Sequence, residues 1–262
     1  MLKMKPEPEK LQVAEDNFDR EKVSPYPASP HEGVLVAREK TSSKRLEHGV
    51  TKPRFVELKD DGSGIFKDVD YKGERAAYLI DRFLGFDLVP PTVIRQLDGE
   101  EGSMQEFIAD AETGDELGVG TARLAEMYPD QFMKMWVFDN AIKNLDRHEG
   151  NFLVKNGRIY AIDHGRSMGW GSDRYQHYPL RSNSDFVKGG LYGSGKEFRG
   201  KPLPQEIIDK FKKFLEWEVG ATILEDLLSE LIGEENAAVA VRRIQNLGKL
   251  IVEKGRIPNP YI

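Results

Sequence analysis

One stretch of this chain limits its architecture more than any other: Asp146-Arg147-His148-Glu149-Gly150-Asn151, followed by Ile162-Asp163-His164-Gly165. Between the two, Phe152-Leu153-Val154, Lys155-Asn156-Gly157-Arg158 and Ile159-Tyr160-Ala161-Ile162 read as strand, turn and strand. A hairpin of that length brings its two ends side by side. It gathers an Asp, an Asn five residues later and a second Asp twelve residues beyond that into one small volume. Two carboxylates and a carboxamide are hard oxygen ligands. Mg²⁺ takes one or two protein carboxylates and completes its shell with phosphate oxygens and water. An Asp/Asn-capped turn would account for any one of these residues but not for the set. The pattern points to phosphoryl transfer from a nucleotide.

The rest of the chain is long enough to build a scaffold for such a site. Its 262 residues suit one bilobal domain or two small ones, and 39% hydrophobic with 31% charged residues is an ordinary globular balance. There is no cysteine, so disulfides and thiolate metal sites are excluded. No apolar run is long enough to span a bilayer and no leader pattern opens the chain, so a cytoplasmic protein is expected. A net charge of -6 argues against bulk nucleic-acid binding, although the stretch from His164 to Lys201 is locally basic.

Residues 1–32 are rich in proline, with Lys5-Pro6-Glu7-Pro8-Glu9 and Ser24-Pro25-Tyr26-Pro27-Ala28-Ser29-Pro30, and are expected to form an arm with one short helix over Leu11–Lys22. Residues 33–108 read as strands with one helix. Strands are expected at Val34–Ala37, Phe55–Leu58, Gly64–Lys67, Val89–Ile94 and Ser103–Ile108, with a helix from Glu74 to Leu84 that stops at Gly85. From residue 109 to 262 helices dominate: Pro129–Lys143, Gln205–Val219, Ala221–Ile232 and Glu235–Glu253. Arg166–Lys201 is rich in Gly, Ser and aromatics without a period, and reads as a substrate-binding loop or a plain irregular connection.

Asp146, Asn151 and Asp163 stand at the spacing of protein-kinase-type sites, where a loop Asp orients the acceptor hydroxyl and the Asn and second Asp hold metal. The word itself is Asp-Arg-His-x-x-Asn followed by Ile-Asp-x-Gly. It resembles the phosphatidylinositol 3-/4-kinase superfamily, an atypical branch of the kinase fold, and HipA-like kinases carry a similar word. Gly73–Leu79, Val89–Val93 and Gly102–Gln105 look like bacterial members of the same superfamily. The resemblance implies an α+β, bilobal protein-kinase-like fold: a small β-rich N-lobe with one helix and a mainly helical C-lobe. It also implies ATP in the cleft, with Mg²⁺ or Mn²⁺ on Asn151 and Asp163.

The same resemblance suggests the other parts of the site. Lys67, at the end of a strand, would neutralise nucleotide phosphates and be held by Glu74 on the helix, with Asp81 a poorer partner two turns on. His148 would accept a proton, stabilise charge on the transferring group, or brace the loop. Arg147 would order the loop through carboxylates. No G-x-G-x-x-G is present, so Ser42, Ser43 and Lys52, within Thr41–Lys52, are the candidates for a phosphate-covering loop. Glu106, Phe107 and Ile108 would form the linker that meets adenine. The acceptor is expected to be a hydroxyl on a protein or small molecule, with a lipid head group less favoured because no basic amphipathic helix is evident. A nucleotide-binding pseudokinase and a metal-dependent nucleotidyl transferase are the alternatives.

Overall fold

The computed structural model describes residues 30–46, 52–144, 146–169 and 200–256. The helix expected over 11–22 and most of the Arg166–Lys201 segment lie outside these residues.

Pro30–Ala37 is a helix, α1, which corrects the strand expected over Val34–Ala37 and places the expected boundary of the arm at residue 32 inside an element. The β-branched run there misleads, because the contacts that decide its conformation come from far along the chain. Glu32, one turn earlier, is buried and accepts from the Tyr78 hydroxyl at 2.5 Å, Arg82 at 3.0 Å and Arg75 at 3.3 Å. Leu35 faces the same way and is 2% exposed.

The sheet follows, as β1 (Lys40–Arg45), β2 (Arg54–Leu58), β3 (Gly62–Lys67), β4 (Thr92–Leu97) and β5 (Glu100–Glu106), antiparallel in the order β1-β2-β3-β5-β4. Val56 and Leu58 alternate inward along β2, and Phe66 and Val93 both pair with Met104. With Leu35 and Leu97 these residues form a small apolar core of their own. The expected phosphate loop over Thr41–Lys52 needs correction in its first part, which is the edge strand β1.

Helix α2 (Tyr71–Leu84) joins the sheet to the rest of the molecule. It is buried on every side from Gly73 to Leu84, and Gly85 ends it with φ 66°, its N–H bonded to the carbonyls of Arg82 and Asp81. Its apolar residues belong to the large core formed with the C-terminal helices, and Phe83 stacks on Trp217 at 5.4 Å between centroids.

Asp81 is buried on α2 and accepts the backbone N–H of Leu88 at 3.1 Å and of Val89 at 3.2 Å, which ties the helix to the segment that leads into β4. Burial pushes its carboxyl up to about 7 from 3.8, the two N–H bonds opposing, with Asp87 adding to the rise and Lys134 working against it. The folded protein therefore holds this proton more tightly than the unfolded chain. The group's contribution to stability is full below about pH 4 and is lost as pH rises through about 7. A gap of about three units corresponds to at most about 4 kcal/mol. Denaturant melts of Asp81→Asn between pH 4 and 8 are expected to lack this decline relative to wild type. Parallel curves for the two proteins would show that Asp81 is ionised throughout.

The helical half consists of β6 (Glu112–Thr113), α3 (Gly114–Leu117), α4 (Thr121–Met127), α5 (Pro129–Ile142), β7 (Phe152–Lys155), β8 (Arg158–Ala161), α6 (Gln205–Glu216), α7 (Gly220–Ile232) and α8 (Glu234–Lys254). Pro129 stands at the first turn of α5, where the missing N–H costs nothing. Asn156 and Gly157 have φ 50° and 77°, the signs a tight hairpin between β7 and β8 requires. The helices α6, α7 and α8 bury one face each, on Phe211 and Phe214, Leu224 and Leu228, and Val241, Ile244 and Ile251. Among the described residues no helix is long and apolar enough to cross a membrane.

Candidate active site

The hairpin β7–β8 forms as the sequence implied and carries the candidate residues Asn151 and Asp163 at its open end. Asn151 lies in a 3₁₀ turn, Glu149–Asn151, immediately before β7, and Asp163 follows β8 by two residues. The Ile162 N–H donates to the Asn151 carbonyl at 3.1 Å, which closes the open end of the hairpin. Asp163 has φ 59°, a left-handed conformation that Asp tolerates better than most residues. That backbone turn leaves its carboxylate 53% exposed.

Asn151 is buried, and its Nδ2 donates to the Asp146 carbonyl at 2.7 Å. This fixes the amide orientation and leaves Oδ1 as the atom able to meet a cation. The Asp146 N–H in turn donates to Asn144 Oδ1 at 3.0 Å. The Asp146 backbone is thus held on both sides while its carboxylate, 50% exposed, has Arg166 3.9 Å away. His148 caps the 3₁₀ turn: its Nδ1 accepts the Gly150 N–H at 3.1 Å. A neutral ring with Nδ1 as acceptor carries its proton on Nε2.

Lys67, at the end of β3, binds Glu74 through Oε1 and reaches Asp163 Oδ1 at 2.9 Å. Burial alone would lower the Lys67 ammonium, but Glu74 and Asp163 outweigh it and hold it above its ordinary value. Burial likewise works to raise Glu74, and Lys67 with His164 outweighs that, leaving the carboxyl well below the usual range. Both groups are charged across the neutral range. The expected pair is therefore formed, and Asp81 is engaged elsewhere.

Arg147 orders the loop through a carboxylate as expected, at a depth the sequence did not show. Its side chain is fully buried and meets Asp139 on α5 through two parallel contacts, Nε to Oδ2 at 3.1 Å and Nη2 to Oδ1 at 2.9 Å. It also donates to the carbonyls of Asn151 and Ile162, the latter at 2.9 Å, and so grips both ends of the hairpin. His164 is buried beside it, with Nε2 at 2.9 Å from Arg147 Nη2.

The remaining expected residues are not gathered here by any contact among the described residues. Ser42 and Ser43 are exposed on β1, where Ser42 Oγ donates to Glu57 at 2.6 Å. Lys52 borders residues 47–51, which lie outside those described, and its carbonyl accepts from Arg45 at 3.5 Å. Glu106, Phe107 and Ile108 line a cavity of about 920 Å³ together with Asp81, Val89 and Tyr160. Lys67, Asn151 and Asp163 are not among its walls. The N–H groups of Glu106 and Phe107 are taken by the carbonyls of Pro91 and Ser63, so adenine would have to use other backbone groups of this linker.

The donor set fits a hard divalent cation. Asn151 Oδ1 and the Asp163 carboxylate are hard oxygen donors at adjacent ends of one hairpin, with an ammonium beside them.

Comparisons with known proteins show a kinase-like fold. The sequence profile described as phosphatidylinositol 3- and 4-kinase matches residues 70–198, a span that includes Glu74, Asp146, Asn151 and Asp163. The Golgi casein kinase with Mn/ADP bound shares the fold at a TM-score of 0.54 and 15% identity, over 84% of this chain and 74% of that one. Hydra Fam20 with sugar does so at 0.55 and 13%, over 84% and 88%. The Helicobacter pylori proinflammatory kinase CtkA does so at 0.51 and 12%, over 84% and 98%. No curated protein matches the sequence.

Proposed function

We propose that this chain, whose fold is that of the phosphatidylinositol 3-/4-kinase-like atypical kinases, transfers the γ-phosphate of ATP to a hydroxyl on a protein or small molecule. The observation that carries the reading is the convergence of Lys67, Glu74 and Asp163 through ion pairs, beside a loop that presents Asp146 and Asn151. In this reading residues 33–108 form the lobe over the nucleotide and 109–262 the lobe that carries the transfer loop.

Asn151 and Asp163 would hold Mg²⁺ or Mn²⁺, which when bound neutralises charge on the phosphates. Each protein group then has one task. Lys67, fixed by Glu74, would offer its ammonium to a phosphate oxygen on the side where it meets Asp163 Oδ1. Asp146 accepts the hydrogen bond of the attacking hydroxyl and orients its oxygen. His148 presents Nε2–H, because Nδ1 is committed to Gly150, and so acts as a donor to developing negative charge, not as the base. A lipid head group is a less favoured acceptor, and a pseudokinase is disfavoured because the full set of charged groups is present and mutually engaged.

Incubation with γ-labelled and, separately, α-labelled ATP and Mg²⁺ or Mn²⁺ tests the reading, with Asp163→Ala alongside. Label transfer from the γ position alone is expected, together with a loss of metal-dependent nucleotide affinity of at least about 100-fold in Asp163→Ala. Transfer of the α label would instead mean nucleotidyl transfer. Unchanged affinity in the variant would remove Asp163 from the metal site.

A further inference from the structure

His164 occupies the junction between the two halves of the site, and its chemistry there is tightly constrained. Its backbone N–H donates to Glu74 Oε2 at 3.0 Å. Its ring is fully buried, edge-on to Phe138 at 5.7 Å, and lies between the Arg147 guanidinium and the Glu74 carboxylate. Arginine only donates, so Nε2 must accept from Nη2 and the ring proton sits on Nδ1. Nδ1 faces Glu74 Oε2 at 3.7 Å, just beyond hydrogen-bond length, and has no hydrogen-bond partner among the described residues. A buried donor aimed at a carboxylate and short of it by well under an ångström marks a contact that a small shift of α2 would close.

The backbone around it is equally constrained. Gly73 lies in the first turn of α2 so close to the following loop that a methyl group there would sit 2.6 Å from the Gly165 carbonyl. Helix and loop therefore touch main chain to main chain on one side of His164. On the other side Arg147 grips both ends of the hairpin.

We propose that His164 is a positioning residue that joins Glu74 to Arg147, so that the Lys67–Glu74 pair and the loop bearing Asp146 and Asn151 keep their geometry as one unit. The catalytic half of this inference rests on the kinase reading, and the structural half rests on the contacts alone.

The test uses the full chain. His164→Phe keeps a ring of similar volume against Phe138 but has no ring nitrogen. His164→Gln retains an acceptor for Arg147 and a donor for Glu74. Amide hydrogen exchange over residues 146–151 is compared in wild type, Glu74→Gln, each His164 variant and the Glu74→Gln/His164→Phe pair. Glu74→Gln is expected to speed exchange of the loop about tenfold in the wild-type background and clearly less in His164→Phe, where only the residue-164 main-chain N–H still meets Glu74, the mark of coupled residues. His164→Gln is expected to keep most of the protection. With Mg²⁺ and ATP, His164→Phe is expected to lower kcat about 30-fold to 100-fold at nearly unchanged nucleotide Kd, the scale of a small misplacement of reacting groups. His164→Gln is expected to restore most of that loss. The proposal is overturned if Glu74→Gln loosens the loop equally with and without the imidazole, or if His164→Gln behaves like His164→Phe. Exchange is read without turnover. A wild-type chain that neither binds nucleotide nor transfers phosphate would defeat the kinase reading while the exchange data still decided the coupling.

Discussion

Asp146→Asn is expected to lower turnover at least about 100-fold while leaving Mg–ATP affinity within about threefold of wild type. The expectation comes from how Asp146 is held. Its main chain is fixed by Asn144 Oδ1 on one side and Asn151 Nδ2 on the other, so the loop does not depend on the carboxylate. The carboxylate, half exposed and 3.9 Å from Arg166, is spare for chemistry. Replacing it with an isosteric amide therefore removes the acceptor for the substrate hydroxyl without disturbing Asn151 or the nucleotide. Single-turnover rates and a nucleotide titration on the same protein separate the two effects. Turnover that survived in Asp146→Asn would move the proton-accepting role to His148. That would require its ring to release the Gly150 N–H and reverse its tautomer, which a His148→Ala variant would expose as a loss that Asp146→Asn fails to give.

The placement of the candidate residues around one hairpin was legible in the sequence for a physical reason. Asp146, Asn151 and Asp163 are joined by a two-stranded hairpin whose Asn156-Gly157 turn leaves few geometries open, so their convergence follows from local chemistry. Lys67 and Glu74, seven residues apart across one strand end and one helix start, were legible only through the kinase resemblance, which pairs a strand Lys with a helix Glu. Helix α1 was not. Its conformation is set by Glu32 meeting Arg75, Tyr78 and Arg82, partners more than forty residues away, and a local reading of Val34–Ala37 has no access to them. The strand character of Ser42 and Ser43 was likewise hidden, since β1 is polar on both faces and is specified by pairing with β2 instead of by apolar alternation. The linker Glu106–Ile108 was read from its place after β5, but two of its N–H groups are already bonded within the small lobe. The depth of Arg147 also escaped, because a charged residue in a polar loop gives no sign that Asp139, on the preceding helix, will be buried with it.

That pair supplies the largest expected effect on stability. Arg147→Met is expected to cost about 3–5 kcal/mol, the scale for removing one member of a buried ion pair. The Asp139 carboxylate would lose both guanidinium contacts in a place where neither side chain reaches solvent, and the carbonyl of Ile162 would lose a donor. For a chain of this size the loss corresponds to a fall in Tm of roughly 6–10 °C. Two origins are separable. If the cost is chiefly the stranded charge, Arg147→Met/Asp139→Asn should regain more than half of it, because the amide put in place of the Asp139 carboxylate would still accept from Asn144 without carrying charge. If the cost is chiefly the lost clamp on the hairpin, the double variant should be no more stable than Arg147→Met. The first outcome is expected, since Ile162 still donates its N–H to Asn151 and the strands β7 and β8 remain paired without the guanidinium. In that case the double variant should melt closer to wild type than Arg147→Met does, yet on the kinase reading transfer phosphate poorly, because His164 Nε2 would lose the donor that ties it to the loop.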